Sequence, residues 1–482
     1  MEKKVYNVIT WCKGEITVAS ATLKPKKNLT EGRILPQIFA FALPLIATAV
    51  LHLLFNSADQ MVVGRWGGDT REECEIALGA VGSCAALISL LVNLFMGLSV
   101  GSGVCVAHEI GAKRYDEVGK VVHTSVLTAL GASVIVTAIG LIFAPQLLVI
   151  VGTGEALLDQ ATLYMRAYFC GMPANLVYNF CASMLRSAGD TTRPLIFLSV
   201  AGVVNVGLNL IMVLVFKTGA LGVGVATAAS QWVSCILIII FMMKSNGPCK
   251  LNLKKLGINK RVFRKVLAIG LPAGFQSSLF AISNVIIQSA VQSFGNPAVV
   301  AGNTAAGNLD GYIYTVMNSF ATSALTFTGQ HVGANKYQRL KKALAWHYIL
   351  SAASGLIIGV VMFIFAKPLI GIFSPGNDAV ANIGTIRLGI IGLTYFLCGL
   401  METGCYALRG FGKSLSPTLI SLLGSCVSRI AWIFAVFYQF FPDNIAMLYI
   451  SYPITWAITA AVNMICIFFE FKKHTAKSAA EL

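Results

Sequence analysis

Charged residues are scarce in this chain of 482 residues. Only 12% of its residues are Asp, Glu, Lys or Arg, whereas 56% are hydrophobic. A water-soluble domain carries about twice that share of charged residues, so the composition excludes this class. Acidic residues are fewer than basic residues, with 20 Asp and Glu against 36 Lys and Arg. The chain is therefore expected to lie in a bilayer, where each acid inside an apolar stretch is a candidate functional residue.

Motifs of ATP-driven pumps and of zinc enzymes are also missing. The sequence has no G-x-x-x-x-G-K-[ST] phosphate loop and no H-E-x-x-H motif, and its six His residues do not cluster at metal-ligand spacing. The twelve Cys residues form no C-x-x-C pair, which is typical of small buried hydrophobic side chains. We therefore expect neither an enzyme nor a cofactor, and no bound metal other than a transported or coupling ion.

Twelve apolar stretches are long enough to cross a membrane, since a helical span needs about 20 such residues. They are predicted at 38–62, 78–107, 121–143, 162–184, 194–216, 222–243, 266–292, 299–328, 343–366, 384–407, 417–440 and 446–469. Six spans per half let both halves enter the membrane from the same side. This predicts an all-α membrane protein of two parallel six-helix bundles, related by a pseudo-twofold axis along the membrane normal.

The predicted organisation has five parts. A cytoplasmic N-terminal segment (1–35) precedes an N-lobe (36–243), a basic cytoplasmic linker (244–265) joins it to a C-lobe (266–470), and a cytoplasmic tail (471–482) follows.

Lys and Arg are distributed unevenly between the two faces of these bundles. Twenty-nine of the 36 fall on the side of the termini and the linker. The opposite face has four, namely Arg65, Arg71, Lys217 and Lys367. This positive-inside asymmetry predicts a bacterial cytoplasmic (inner) membrane protein with both termini in the cytoplasm. The asymmetry explains the positive net charge, so we expect no nucleic-acid partner. We expect a monomer that contacts membrane lipids.

The two halves repeat short motifs at nearly constant spacing. Ile-Gly-Ala at 110–112 returns as Val-Gly-Ala at 332–334. Leu-Arg at 185–186 returns at 408–409, and Leu-Pro at 43–44 returns at 271–272. Two related halves that rock against each other give alternating access to a site between them. The repeat therefore favours a transporter.

Three acids lie within predicted spans: Asp59, Asp310 and Glu402. An acid at the centre of a helix that faces lipid costs about 2.5–3.5 kcal/mol, so all three should face a polar cavity or partner. Asp59 is either an interfacial acid or a proton or cation site. Glu402 either pairs with Arg409 or Arg429 or binds a cation.

Polar residues at helical spacing form stripes on several spans. Asn303 and Asp310 share one face of the eighth span, and Asn284 and Gln288 share one face of the seventh. These stripes are either contacts between helices or part of a substrate surface. On the fifth span, Asn205 and Asn209 lie one turn apart and offer two carbonyl oxygens on one face, which suits ion coordination or a contact between helices.

These residues resemble the multidrug and toxic compound extrusion family. The resemblance covers 35–470 and is carried by the Leu-Pro pairs, the doubled Gly-Ala loops, the doubled Leu-Arg-x-x-Gly loops, and Asp59 followed by Val-Gly at 63–64. It implies a cation-driven exporter of organic cations, with a fold shared by exporters of lipid-linked oligosaccharides. It also associates Asp59 with ion coupling.

Two positions depart from the pattern of this family. Members with an ion site in the first half commonly have Asn and then Asp on the fifth span, whereas this chain has Asn205 and Asn209. Some members carry a Glu about nine residues after the second Leu-Pro pair, where this chain reads Ser-Leu-Phe at 278–280. The coupling site therefore has fewer carboxylates than in those members.

We predict an antiporter that exchanges H+, or as second choice Na+, for small amphipathic organic cations by alternating access. Its cavity is expected to be net acidic. The alternatives are a flippase for a lipid-linked sugar or other polar lipid and, in a different class, a passive channel, although no loop resembles a selectivity filter. The predicted ion-coupling residues are Asp59, Asn205 and Asn209, and the predicted substrate residues of the second half are Asn284, Gln288, Asn303, Asp310 and Glu402.

Overall fold

The computed structural model describes residues 29–480, with side chains up to residue 474 apart from Ala86, and every regular element in this part is helical. The N-lobe contains eight α-helices. They are α1 (Ile34–Trp66), α2 (Arg71–Gly111), α3 (Tyr115–Ile142), α4 (Ala144–Ile150), α5 (Glu155–Cys170), α6 (Met172–Ser187), α7 (Thr192–Leu210) and α8 (Gly219–Lys244). A π-helix, Ile211–Val215, continues α7.

The C-lobe contains ten further α-helices. They are α9 (Lys260–Gln292), α10 (Pro297–Gly333), α11 (Tyr337–Ile364), α12 (Ala366–Gly371), α13 (Asp378–Arg387), α14 (Tyr395–Gly410), α15 (Leu415–Ser421), α16 (Ser428–Trp432), α17 (Tyr438–Phe440) and α18 (Ile445–Ala480). Three π-helices, Leu388–Gly392, Leu422–Val427 and Ile433–Phe437, interrupt the series.

The two lobes repeat the same backbone, as the doubled motifs predict. Helices α3 and α11 are both 28 residues long and begin at matching places after the doubled Gly-Ala motif, at Tyr115 and Tyr337. Helices α1 and α9 are both 33 residues long and contain the two Leu-Pro pairs. The loops that precede α3 and α11 each place one non-glycine residue in the left-handed region, Lys113 at φ 58° and Asn335 at φ 56°. Each lobe is therefore one copy of a six-span unit.

The twelve predicted spans are all present as helical segments. Nine helices in the described part are long and apolar enough to cross a membrane, and the pair α13–α14, bent by 44°, is a tenth. The remaining two are the 37-residue α10, which carries the predicted polar stripe, and α5–α6. The sequence predicted one continuous span at 162–184, but Gly171 and Pro173 divide it into two 16-residue helices.

The lobes contact each other on the side of the linker. There α2 and α9 approach so closely that a Cβ atom added to Gly97 would lie 2.1 Å from the backbone nitrogen of Gly274. The Gln330 amide nitrogen also donates a hydrogen bond to the Ser187 carbonyl oxygen at 2.8 Å. On the opposite side a cleft of about 810 Å³ separates the lobes, lined by Met61 and Leu78 from one lobe and Asn308, Tyr312 and Phe373 from the other.

The linker is shorter than predicted. Helix α8 ends at Lys244 and α9 begins at Lys260, where Asn259 caps it by accepting from the Arg261 and Val262 backbone N–H groups. The basic residues 260–265, assigned to the linker from the sequence, therefore form the first turns of α9. Most of the N-terminal segment 1–35 lies outside the described residues, and α18 continues through the predicted tail to Ala480.

We expect Gly97→Ala to destabilise the protein, because the added methyl group forces α2 away from α9. Overpacking of this kind typically lowers the free energy of unfolding by about 1–3 kcal/mol. Gly82→Ala is the matched control, since it lies on the same helix with no atom within 4 Å of the added Cβ. Thermal unfolding in detergent should show a lower midpoint for Gly97→Ala alone. Equal midpoints for the two variants would show that the contact between the lobes is not tight.

Candidate functional site

A small cavity in the N-lobe surrounds Asp59. It has a volume of about 270 Å³, and α1, α5, α7 and α8 supply most of its wall. The cavity is lined by polar and aromatic side chains, among them Asp59, Tyr164, Tyr168, Asn205 and Gln231. All of its lining residues belong to the N-lobe.

Asp59 is held by neutral hydrogen-bond donors. The Asn209 side-chain amide donates to one carboxylate oxygen, and the Thr227 hydroxyl donates to the other at 3.4 Å. The Asn205 amide in turn donates to the Thr227 hydroxyl at 3.4 Å. None of the cationic side chains in the described part lies within 4.0 Å of Asp59. Asp59 is thus a carboxylate with no positive partner.

The backbone brings these side chains together through a close approach of α1 and α7. The Phe55 ring lies against Gly202, where an added Cβ would come within 1.8 Å of the ring. Only glycine leaves room for that ring, one turn before Asp59 on α1. The predicted ion-coupling residues Asp59, Asn205 and Asn209 therefore lie together, although whether they bind an ion stays a prediction.

A larger cavity lies in the C-lobe and reaches the N-lobe helix α2 through Asn93. It has a volume of about 700 Å³ and is lined by polar, charged and aromatic side chains of α9, α10, α13, α14, α16 and α18. Pockets of about 300–1,000 Å³ hold drug-sized ligands, so this cavity has the size for one. All five predicted residues of the second half line it: Asn284, Gln288, Asn303, Asp310 and Glu402.

Within this cavity Asp310 is paired with Arg387. The Arg387 Nε atom donates to the Asp310 carboxylate at 2.8 Å, and Nη1 donates to the Asn303 side-chain oxygen at 2.5 Å. Asn303 also donates to Gln288 at 3.0 Å and accepts from the Tyr449 hydroxyl at 3.1 Å. The polar stripes of α9 and α10 therefore contact each other, as one of the two interpretations predicted.

The prediction of an acidic, loosely paired cavity is wrong. Three arginines, Arg387, Arg409 and Arg429, and two acids, Asp310 and Glu402, line the C-lobe cavity, so its formal charge is positive. A buried acid that pairs with an arginine gains a counterion that lipid cannot supply, which explains why Asp310 is not free to attract a cation. Among the described side chains Glu402 has no cation within 4.0 Å, so of its two interpretations the close pair with Arg409 or Arg429 does not form.

The two cavities occupy equivalent places in the repeat. Tyr164 and Arg387 are separated in sequence by the same number of residues as the two Leu-Arg motifs. The same holds for Asn179 and Glu402. The first residue of each pair lines the N-lobe cavity and the second lines the C-lobe cavity. The same backbone positions therefore carry neutral side chains in one lobe and charged side chains in the other. This difference is not visible from the doubled loop motifs, which lie at the ends of the helices.

Sequence reasoning missed Thr227 and, although it named Arg409 as one candidate partner of Glu402, did not assign Arg409 to a cavity. Thr227 carries no signal of its own in an apolar span. Arg409 was counted among the linker-side charges because it ends the repeated Leu-Arg motif, yet it is buried in α14 and lines the C-lobe cavity. A signal for Arg409 was present, since it lies seven residues after Glu402, two turns along the same face of the helix.

We expect Arg387→Gln to destabilise the protein strongly, because it leaves Asp310 buried without its counterion. Removing one partner of a buried ion pair costs about 3–5 kcal/mol. The double variant Arg387→Gln, Asp310→Asn removes both charges and should recover much of the loss. Unfolding midpoints in detergent test this order. A double variant less stable than Arg387→Gln would contradict the assignment of the pair.

Comparisons with known proteins agree with this architecture. The chain is 25% identical over 426 residues to the probable multidrug resistance protein YoeA of Bacillus subtilis, covering 87% of this chain and 90% of that protein. A solved structure of MATE in the bent conformation matches with a TM-score of 0.86 at 19% identity, over 95% of this chain and 100% of the other. A MOP superfamily transporter from Pyrococcus furiosus, described as having a binding pocket of reversed polarity, matches with a TM-score of 0.86 at 19% identity, over 94% of this chain and 99% of the other.

A family model extends the match across both lobes. The MatE model matches residues 44–211 and residues 272–434, which are most of the N-lobe and of the C-lobe. Those two segments run from within α1 to the end of α7 and from within α9 to the end of α16. The chain is thus a multi-pass membrane transporter that belongs to the MatE family, the multidrug and toxic compound extrusion family that its motifs resemble.

Proposed function

We propose that the chain exports small amphipathic compounds from the cytoplasm in exchange for protons, by alternating access. The observation that carries the proposal is the environment of Asp59, a carboxylate held by Asn209 and Thr227 with no cation beside it. A carboxylate in such a place can gain and lose a proton without breaking an ion pair. The name of the relative YoeA, a probable multidrug resistance protein, supports drug-like compounds as the exported class.

Protons fit this site better than Na+. A hard cation takes several oxygen ligands at once, carboxylate oxygens among them. Among the residues that the structure describes, Asp59 is the one acid lining the N-lobe cavity, so these residues offer a single carboxylate. A single carboxylate is sufficient to carry one proton.

The sizes of the two cavities support different roles for the two lobes, with the ion bound in one and the organic compound in the other. The N-lobe cavity, at about 270 Å³, suits an ion and a few water molecules, whereas the C-lobe cavity, at about 700 Å³, suits an organic compound. Coupling then requires that protonation of Asp59 changes how the lobes contact each other. Helix α1 provides the connection, because its first half packs on the C-lobe through Phe41 and Phe327 and its second half carries Asp59.

We place the protein in the bacterial cytoplasmic membrane, with the linker and both termini in the cytoplasm. The concentration of Lys and Arg on the linker side supports this orientation, and burial of Arg409 removes one residue from that count without changing its direction. The cleft beside Met61 then opens to the outside. The proton gradient supplies the driving force, at about 1.4 kcal/mol per tenfold difference in proton concentration.

Asp59→Asn should abolish export driven by a pH gradient, because the amide keeps the size of the side chain but cannot carry a proton. The measurement is uptake of a fluorescent substrate into proteoliposomes under separately imposed pH and Na+ gradients. In the wild-type protein a pH gradient should drive uptake and a Na+ gradient alone should not.

Asp69→Asn is the matched control. Asp69 accepts a hydrogen bond from Lys217 at 2.5 Å in the exposed loops on the side away from the linker, with 70% of its side chain exposed. The control variant should transport like the wild type. Full pH-driven transport by Asp59→Asn would remove this residue from the mechanism, and transport driven by Na+ alone would replace the proton by Na+.

A further inference from the structure

Two buried arginines in the C-lobe cavity lack a counterion. Arg409 is 5% exposed and Arg429 is 3% exposed, and both line the cavity. No carboxylate among the described side chains lies within 4.0 Å of either guanidinium group. The Nε atom of each is buried and makes no hydrogen bond. Each guanidinium has five N–H donors, so most of their donor capacity is unused.

The groups that hold these arginines are neutral. Arg409 donates one hydrogen bond to the Gln276 side-chain oxygen at 2.8 Å, and Arg429 donates one to the Thr455 hydroxyl at 3.1 Å. The Arg429 guanidinium carbon also lies 3.9 Å from the centre of the Tyr452 ring. Such contacts fix the position of a guanidinium group and stabilise it partly, but they do not cancel its charge.

The acids of the cavity do not supply the missing charge. Asp310 forms an ion pair with Arg387 at 2.8 Å, so its charge is already balanced by that arginine. Glu402 alone remains; it interacts electrostatically with Arg409 from beyond 4.0 Å, so one acid faces two arginines. Burying a charge without a partner costs several kcal/mol, so a ligand that brings negative charge would be favoured strongly here.

We propose that the C-lobe cavity binds an amphipathic organic anion, whose carboxylate or phosphate group is held by Arg409 and Arg429. This rests on the proposed export function and names its substrate class. Guanidinium groups bind both kinds of oxyanion through paired hydrogen bonds. The aromatic wall formed by Phe280, Tyr395 and Trp456 accepts the apolar part of the ligand. The source of the oxyanion is either a soluble compound or the headgroup of an anionic lipid.

The test uses three naphthalene probes that differ in charge: 2-naphthoate, neutral 2-naphthamide and the 2-naphthylmethylammonium cation. Equilibrium binding is measured with the full-length protein in phosphatidylcholine nanodiscs. We expect 2-naphthoate to bind at least about tenfold more tightly than the amide, since a hydrogen bond to a charged group is worth roughly that factor. Arg429→Gln and Arg409→Gln should each reduce this preference, whereas Arg429→Lys should retain part of it.

The matched control is Arg166→Gln. Arg166 lies in an N-lobe span and donates to the Leu141 carbonyl oxygen at 3.2 Å, away from the C-lobe cavity. This variant should keep the full preference for 2-naphthoate. An unchanged thermal midpoint in each arginine variant separates a lost contact from a lost fold.

A second measurement separates the two sources of the oxyanion. Mass spectrometry counts the phosphatidylglycerol that stays bound to protein purified from membranes containing this lipid. Retention that depends on Arg409 and Arg429 supports a lipid headgroup, and naphthoate preference without such retention supports a soluble anion. The proposal is overturned if neither depends on the two arginines or if the cation binds best. Because binding needs no ion gradient, failure here leaves coupling through Asp59 intact, and loss of pH-driven transport leaves the anion site intact.

Discussion

Hydrocarbon offers no hydrogen-bond partners, and this constraint decides where every polar group of the chain lies. Charged side chains within spans cannot face lipid cheaply, and four of them, Asp59, Asp310, Arg387 and Glu402, line the cavities of the two lobes. Asp59 bonds to Asn209 and Thr227 in one lobe, and Arg387 bonds to Asp310 and Asn303 in the other. The polar clusters of both lobes therefore follow from the same rule that sets the fold.

The two lobes repeat the same backbone, but the side chains that line their cavities differ in charge. Equivalent positions of the two halves line both cavities, yet Tyr164 and Asn179 in the N-lobe become Arg387 and Glu402 in the C-lobe. In the proposed mechanism the symmetric backbone would let the lobes rock against each other, and the asymmetric side chains would let one lobe bind an ion and the other an organic ligand. The close approach of α2 and α9 holds the lobes together on one side, and the cleft on the other side separates them.

Much of this was predictable from the sequence, because span length, charge asymmetry and repeated motifs are local properties. The twelve spans, the two lobes and the cluster of Asp59, Asn205 and Asn209 follow from helical spacing and family resemblance. The charge of the C-lobe cavity did not follow, because it depends on which distant side chains meet. Asp310 and Arg387 are 77 residues apart in sequence. Arg409 follows the predicted tenth span, and only the fold shows that it is buried against Gln276.

The central claim is that protonation of Asp59 controls the gap between the lobes. Spin labels at Met61 and Asn308, which line the cleft from opposite lobes, report that gap as a distance distribution. The measurement compares acidic and alkaline buffers in nanodiscs, in a background without other reactive cysteines. The account predicts that the distribution of the otherwise native protein shifts between the two buffers and that Asp59→Asn holds one distribution in both. An equal shift with and without the Asp59 carboxylate would contradict it.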